Sequence, residues 1–168
     1  KERIPDYAKD VRLNLDGVLG RSSLEQADAL GAALAAAYAA KSTTIVDAIR
    51  GSGQLSDVDV NAALSAAALM GMNNVWYPYV EMAADEDLRT QRAELRMNAY
   101  AAHGGIDKNR FELFALAASI VGKCHFCVQS HYKLLKDGGM SAQQLRDVGR
   151  IAAVITAAAN ALAAEGAH

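Results

Sequence analysis

The sequence predicts an all-α protein, and three observations carry the prediction. Apolar residues recur at spacings of three and four through most of the 168 residues, helix start signals precede the periodic segments, and no segment alternates β-branched and aromatic residues as a strand would. Without strands there is no support for βαβ units or a parallel sheet. A hydrophobic content of 52% suffices to bury a full core, and the length fits one domain spanning residues 1–168.

The first helix is expected where Ile4, Tyr7, Ala8, Val11, Leu15, Val18 and Leu19 share a face, with Pro5 allowed in its first turn. Ser22-Ser23-Leu24-Glu25 fits a capping box, in which a hydroxyl and a carboxylate three residues on satisfy amide donors reciprocally, and it opens a helix from Leu24 to Ala40. Thr44-Ile45-Val46-Asp47 is a looser match that starts a short helix from Thr44 to Ile49. A long helix follows from Asp57 to about Met82, and Pro78, which lacks an amide donor, should kink or stop it. The aromatic cluster beside it, Trp76-Tyr77-Pro78-Tyr79, reads as core or subunit contact. Periodicity places further helices at Asp87–Ala101, Lys108–Val121 and Cys124–Lys136, and Ser141-Ala142-Gln143-Gln144 caps a last one from Ala142 to Ala163. Gly51-Ser52-Gly53, His103-Gly104-Gly105 and Gly138-Gly139 supply loops between them. Ala66–Asn73 and Ala117–Cys124 echo one another, each an apolar stretch that reaches a glycine, which would suit an internal helical repeat.

Composition narrows the function. The 17 basic and 19 acidic residues are scattered without a basic block, so the electrostatic footprint of a nucleic-acid-binding protein is missing. Alanine-rich stretches are interrupted by Asp, Glu, Lys, Asn or Gln before they reach membrane-spanning length, and Lys1-Glu2-Arg3-Ile4-Pro5-Asp6 holds no apolar signal region. The expectation is a soluble cytoplasmic protein without a membrane partner. Gly51-Ser52-Gly53 lacks the flanking strand and third glycine of a dinucleotide fingerprint, so no bound nucleotide or other resident cofactor is expected.

Both cysteines of the chain lie in Cys124-His125-Phe126-Cys127, with His131 one helical turn further on. Residues at i and i+3, and at i and i+4, share a helix face, so Cys124, Cys127 and His131 form one strip. A helix starting near Cys124 would set that thiol against exposed amides and the positive end of the helix dipole, which favour a thiolate, and Lys123 adds a cation. An imidazole beside Cys127 could instead take its proton and stabilise the thiolate, the usual way a weakly acidic thiol becomes reactive near neutral pH. The helix end thus favours Cys124 as the attacking sulfur, while pairing with His131 favours Cys127. Both suit thiol–disulfide exchange or attack on a peroxide oxygen.

Other readings compete. The cysteines could be small buried apolar residues. Cys124, Cys127 and His131, with Glu112 as a fourth ligand, could hold zinc, although structural zinc usually gathers paired Cys or His motifs and only one pair exists here. A disulfide that changes contacts without turnover would make a redox-sensing interaction protein. His125, about 100° around the helix from Cys124, should face solvent. Glu112 has an ordinary explanation as the end of a capping box begun at Asn109.

Phe111-Glu112-Leu113, an apolar helix, then Cys124-x-x-Cys127-x-x-x-His131 resembles the alkyl hydroperoxide reductase D (AhpD) family within the carboxymuconolactone decarboxylase-like superfamily. Asp6-Tyr7-Ala8-Lys9-Asp10, Met70-Gly71-Met72-Asn73-Asn74-Val75 and Leu95-Arg96-Met97-Asn98 extend the similarity over most of the chain. The resemblance implies a helical bundle assembling as a homotrimer, a weak peroxidase activity towards organic hydroperoxides, and a main role in re-reducing a peroxiredoxin of the AhpC type. It implies that electrons arrive from the lipoyl group of a dihydrolipoamide acyltransferase. Carried over by position, Cys127 matches the attacking cysteine, Cys124 its disulfide partner and proton donor, and His131 and Glu112 the members of a proton relay. One departure stands out: the family pattern has a histidine directly before the second cysteine, where this chain has Phe126, and His125 one place earlier does not inherit that role. The expected function is therefore a disulfide oxidoreductase that cycles Cys124 and Cys127.

Overall fold

Alanine-rich sequence lets helix axes approach closely, and this chain uses that property at its centre. The computed structural model describes residues 1–168 and contains no strand. In chain order the helices are α1 (Lys9–Gly20), α2 (Gln26–Ala39), α3 (Thr43–Gly51), α4 (Asp57–Ala83), α5 (Glu86–Arg89), α6 (Ala99–Ala102), α7 (Lys108–Gly122), α8 (His125–Asp137) and α9 (Ala142–Ala164), with 3₁₀ turns at Asp6–Ala8 and His103–Gly105. The all-α expectation holds.

α2 and α7 each bury an unbroken run, Ala29–Ala37 and Phe111–Ser119. A helix buried on every side must be enclosed on every side, and α4 and α9 pack against both of these helices. Gly31 of α2 makes the central approach possible, because a Cβ there would collide with the ring of Phe114 on α7. Arg110 of α7 ties α2 and α4 to it at one end, its Nε 2.6 Å from Asp28 on α2 and its Nη1 2.7 Å from Asp59 on α4. α8 lies against α7 and α4, so any chemistry on its inner face is backed by these two helices.

Several elements differ from expectation. The segment Asp87–Ala101 is not one helix: only single turns form at Glu86–Arg89 and Ala99–Ala102, with irregular chain between them. Residues from Gln91 to Arg96 are exposed apart from half-buried Ala93, so no apolar face exists there to repay helix formation. α4 runs through Pro78 to Ala83, since proline's fixed φ is helical and only one amide bond is lost. Ser22 to Glu25 forms no capping box. The Ser23 amide and hydroxyl instead donate to Asp147 on α9, at 2.8 and 2.6 Å. The Ser141–Gln144 capping box is present, with both reciprocal bonds. α9 is long and apolar enough by length and composition to cross a membrane, with mean hydropathy 1.3 over 18 residues, where interruption was expected. From Ile151 to Ala164 its only polar residues are Thr156 and Asn160, too few to break the run, and half of that window is buried within the fold.

Candidate active site

The site begins with how α7 stops. The amide of Lys123 donates to Ile120 O at 3.2 Å and that of Cys124 to Ser119 O at 3.4 Å, a Schellman closure that requires a left-handed residue, here Lys123 with φ 55°. Cys124 follows at once as the N-cap of α8, one position earlier than a first-turn placement, and its Sγ accepts from the Cys127 amide at 3.2 Å. The sulfur therefore takes the place of a capping oxygen at the positive end of a helix, an environment that favours a thiolate.

Cys124 and Cys127 are joined as a disulfide with Cα atoms 5.3 Å apart, and both are buried. Cys127 Sγ lies 3.6 Å from the carbonyl oxygen of Asn73 on α4. A shallow depression of about 250 Å³, lined by Lys123, Cys124, His125, Val128 and Gln129, leads to the Cys124 side of the bond.

One turn along α8, His131 Nδ1 lies 2.5 Å from Glu112 Oε2 on α7, and both side chains are buried. Glu112 is therefore not a cap; Asp107 caps α7 by accepting from the Arg110 amide at 3.0 Å. With Nδ1–H donated to the carboxylate, Nε2 is the nitrogen left to gain or lose a proton. It faces Met70 Sδ at 3.1 Å, a weak partner. Nothing bonds His131 to Cys127 in this oxidised form, so the structure holds two adjacent pairs, Cys124–Cys127 and Glu112–His131. A second opening, of about 420 Å³ and lined by Tyr100, Lys108, Glu112, Ser130 and His131 among others, reaches the carboxylate–imidazole pair.

Three residues absent from the predicted site frame it. Tyr100 stacks on the His131 ring with centroids 6.4 Å apart and sets its hydroxyl 3.9 Å from Met70 Sδ. Burial, the charge of Glu112 and nearby Tyr77 push the Tyr100 phenol well above its ordinary range against a hydrogen bond with Asn73, so it remains a donor. Met70 and Asn73 arrive from α4, and the buried Asn73 Oδ1 has no partner. In the sequence they stood only within the echo that set Ala66–Asn73 beside Ala117–Cys124 and within the family-like segment Met70–Val75, neither of which placed them at the site.

The two residues between the cysteines point outward. His125 is 76% exposed and lies 3.3 Å from Glu81 of α4. Phe126 stacks on Tyr77 with centroids 4.4 Å apart, so the departure from the family pattern puts an aromatic contact with α4 where the pattern has an imidazole.

Comparison with known proteins fits this arrangement. Residues 86–167, which include both pairs, match the Carboxymuconolactone decarboxylase family. Alkyl hydroperoxide reductase AhpD of Rhodospirillum centenum is 45% identical, covering 99% of this chain and 90% of that protein. The chain belongs to the AhpD family. The AhpD proteins of Rhodopseudomonas palustris BisA53 and Streptomyces avermitilis are 42% and 41% identical, over 95% and 98% of this chain and 88% and 94% of their own lengths.

Proposed function

We propose that the protein is a thiol-dependent alkyl hydroperoxide reductase and disulfide oxidoreductase. The observation that carries the reading is a buried disulfide one turn along α8 from His131, which is itself buried and paired with Glu112 of α7. The relatives' name, alkyl hydroperoxide reductase, supports the oxidant class.

In the reductive half, a thiolate of the reductant attacks one sulfur, forms a mixed disulfide and releases the other cysteine as a thiolate, which takes a proton. The reductant's second thiol then displaces the first cysteine, so that two electrons and two protons pass to the protein. In the oxidative half, the Cys127 thiolate attacks the outer peroxide oxygen, the O–O bond breaks, and the alkoxide leaves as alcohol after protonation. Cys124 then attacks the resulting sulfenic acid, expels water and closes the disulfide. Glu112 orients His131, and Nε2 holds the proton exchanged with the thiols in both halves.

The burial of the disulfide favours a slender reductant. A dihydrolipoyl arm fits the depression at Cys124, whose bond is buried. The donor in this reading is the lipoyl group of a dihydrolipoamide acyltransferase, and the acceptor is the disulfide of an AhpC-type peroxiredoxin or an organic hydroperoxide. A dithiol cycle of this kind belongs in the reducing cytoplasm. The exposed apolar side chains Val75, Tyr79 and Met82, spaced along α4, suit burial in a homotrimer.

A coupled assay with dihydrolipoamide, AhpC and cumene hydroperoxide tests the reading, each component being omitted in turn. Hydroperoxide loss should need the chain and dihydrolipoamide and should accelerate with AhpC. Equal loss without the chain would refute it.

A further inference from the structure

The largest cavity lies away from the cysteines, and its walls are apolar stripes from four helices. Leu15 and Leu19 of α1 lie one turn apart, as do Ile45 and Ile49 of α3. Leu30 of α2 and Ile155 and Leu162 of α9 add to the lining. α1 packs on α9 and α2, and α3 packs on α2, but α1 and α3 make no comparable contact with each other. A slot of about 720 Å³ remains between them, within the range of small-molecule sites. It also divides the hydrophobic interior: Leu30, Ile49 and Ile155 belong to the main core, Ile4, Ala158 and Leu162 to a separate cluster. Leu15, Leu19 and Ile45 are left half-buried there, with apolar surface that no side chain covers.

The rim is polar. Lys1 closes on Asp16, whereas Arg3, next to buried Ile4, pairs with no carboxylate. Gln26 and Gln54 add amide donors, and Asp47 is the one unpaired acid.

We propose that this slot binds a single unbranched medium-chain carboxylate, its alkyl chain between α1 and α3 and its head group on Arg3. Apolar walls ending at an unpaired guanidinium match an amphiphile with one anionic head. None of the lining residues belongs to the disulfide site, so the proposal stands apart from the redox reading.

Titration calorimetry on the full chain with hexanoate, octanoate and decanoate, each below its micellar concentration, tests it. Affinity should tighten about fourfold per added methylene, as burial of one CH₂ predicts. Ala48→Trp, at an exposed position on the slot's edge, should weaken decanoate at least tenfold while leaving the circular dichroism unchanged. Arg3→Gln should weaken decanoate without weakening decanol. Absence of binding, as when a second copy seals the slot, would overturn the proposal. So would equal affinity for Ala48→Trp, or tighter binding of decylamine than of decanoate.

Discussion

Replacing Glu112 by Gln isolates the charge of the proposed relay from its shape. The carboxamide oxygen of Gln can still accept Nδ1–H from His131, so the fold should survive with a melting temperature close to that of the parent. What is lost is a charge-assisted hydrogen bond of 2.5 Å between two side chains that are only 5% and 4% exposed. A hydrogen bond to a charged group contributes about 1.5–3 kcal/mol against about 0.5–1.5 for a neutral one, so the exchange gives up about 1–1.5 kcal/mol. Oriented general-base catalysis draws on that energy when the imidazole takes up a proton. At about 1.4 kcal/mol for each factor of ten, the rate of disulfide reduction should fall roughly 5- to 13-fold. Stopped-flow reduction of the oxidised chain by dihydrolipoamide, followed by thiol appearance across a pH series, reads this out. The pH–rate profile should change in shape as well as in height, which a loss of packing alone would not produce. His131→Gln should cost a similar factor, and the double variant little more than either, because the two residues act as a unit. A parental rate in a folded Glu112→Gln protein, or additive losses in the double variant, would remove the pair from the mechanism.

Two further predictions concern the scaffold. Burial opposes ionisation of Asp147, but hydrogen bonds from Ser23, Arg150 and Arg146 hold its carboxyl well below the usual carboxylate range. Its stabilising contribution is therefore complete above the unfolded value of about 4 and is lost as pH falls through the lower folded value. Asp147→Asn should be less stable than the parent at pH 7 by roughly 2 kcal/mol, and the gap in thermal melts should narrow below about pH 4; a gap constant with pH would contradict the assignment. Gly31→Ala sets a methyl group against the Phe114 ring and should destabilise by about 1–3 kcal/mol in urea unfolding. No loss there would mean that α2 and α7 separate more easily than their packing implies.

The helices that proved legible in the sequence are those with a local stop or start. Ser141 caps α9 with the spacing the sequence shows, and Gly122 and Lys123 end α7 one residue from the predicted stop. Failures came where a local pattern had a distant competitor. Ser22-Ser23-Leu24-Glu25 has the form of a capping box, but Ser23 is held by Asp147, 124 residues away. The stretch after Glu86 has helical periodicity but no partner surface, and periodicity does not report whether a face will be covered.

The site follows the same division. The Cys124–Cys127 pair is local and was readable from its spacing alone. Glu112 and His131 are 19 residues apart on different helices, and only the family pattern pointed to their pairing. Met70, Asn73 and Tyr100 come from elements that tertiary packing brings together, and nothing near them in the sequence marks them as neighbours of a thiol. The outward positions of His125 and Phe126 follow from α8 having α4 and α7 on one side only.

Everything proposed for the redox cycle requires electrons to pass through Cys127. Cumene hydroperoxide consumption by the full chain, with dihydrolipoamide as the sole electron source, should proceed over many turnovers and fall to the uncatalysed rate in Cys127→Ser. Turnover by a folded Cys127→Ser protein at the parental rate would contradict the account.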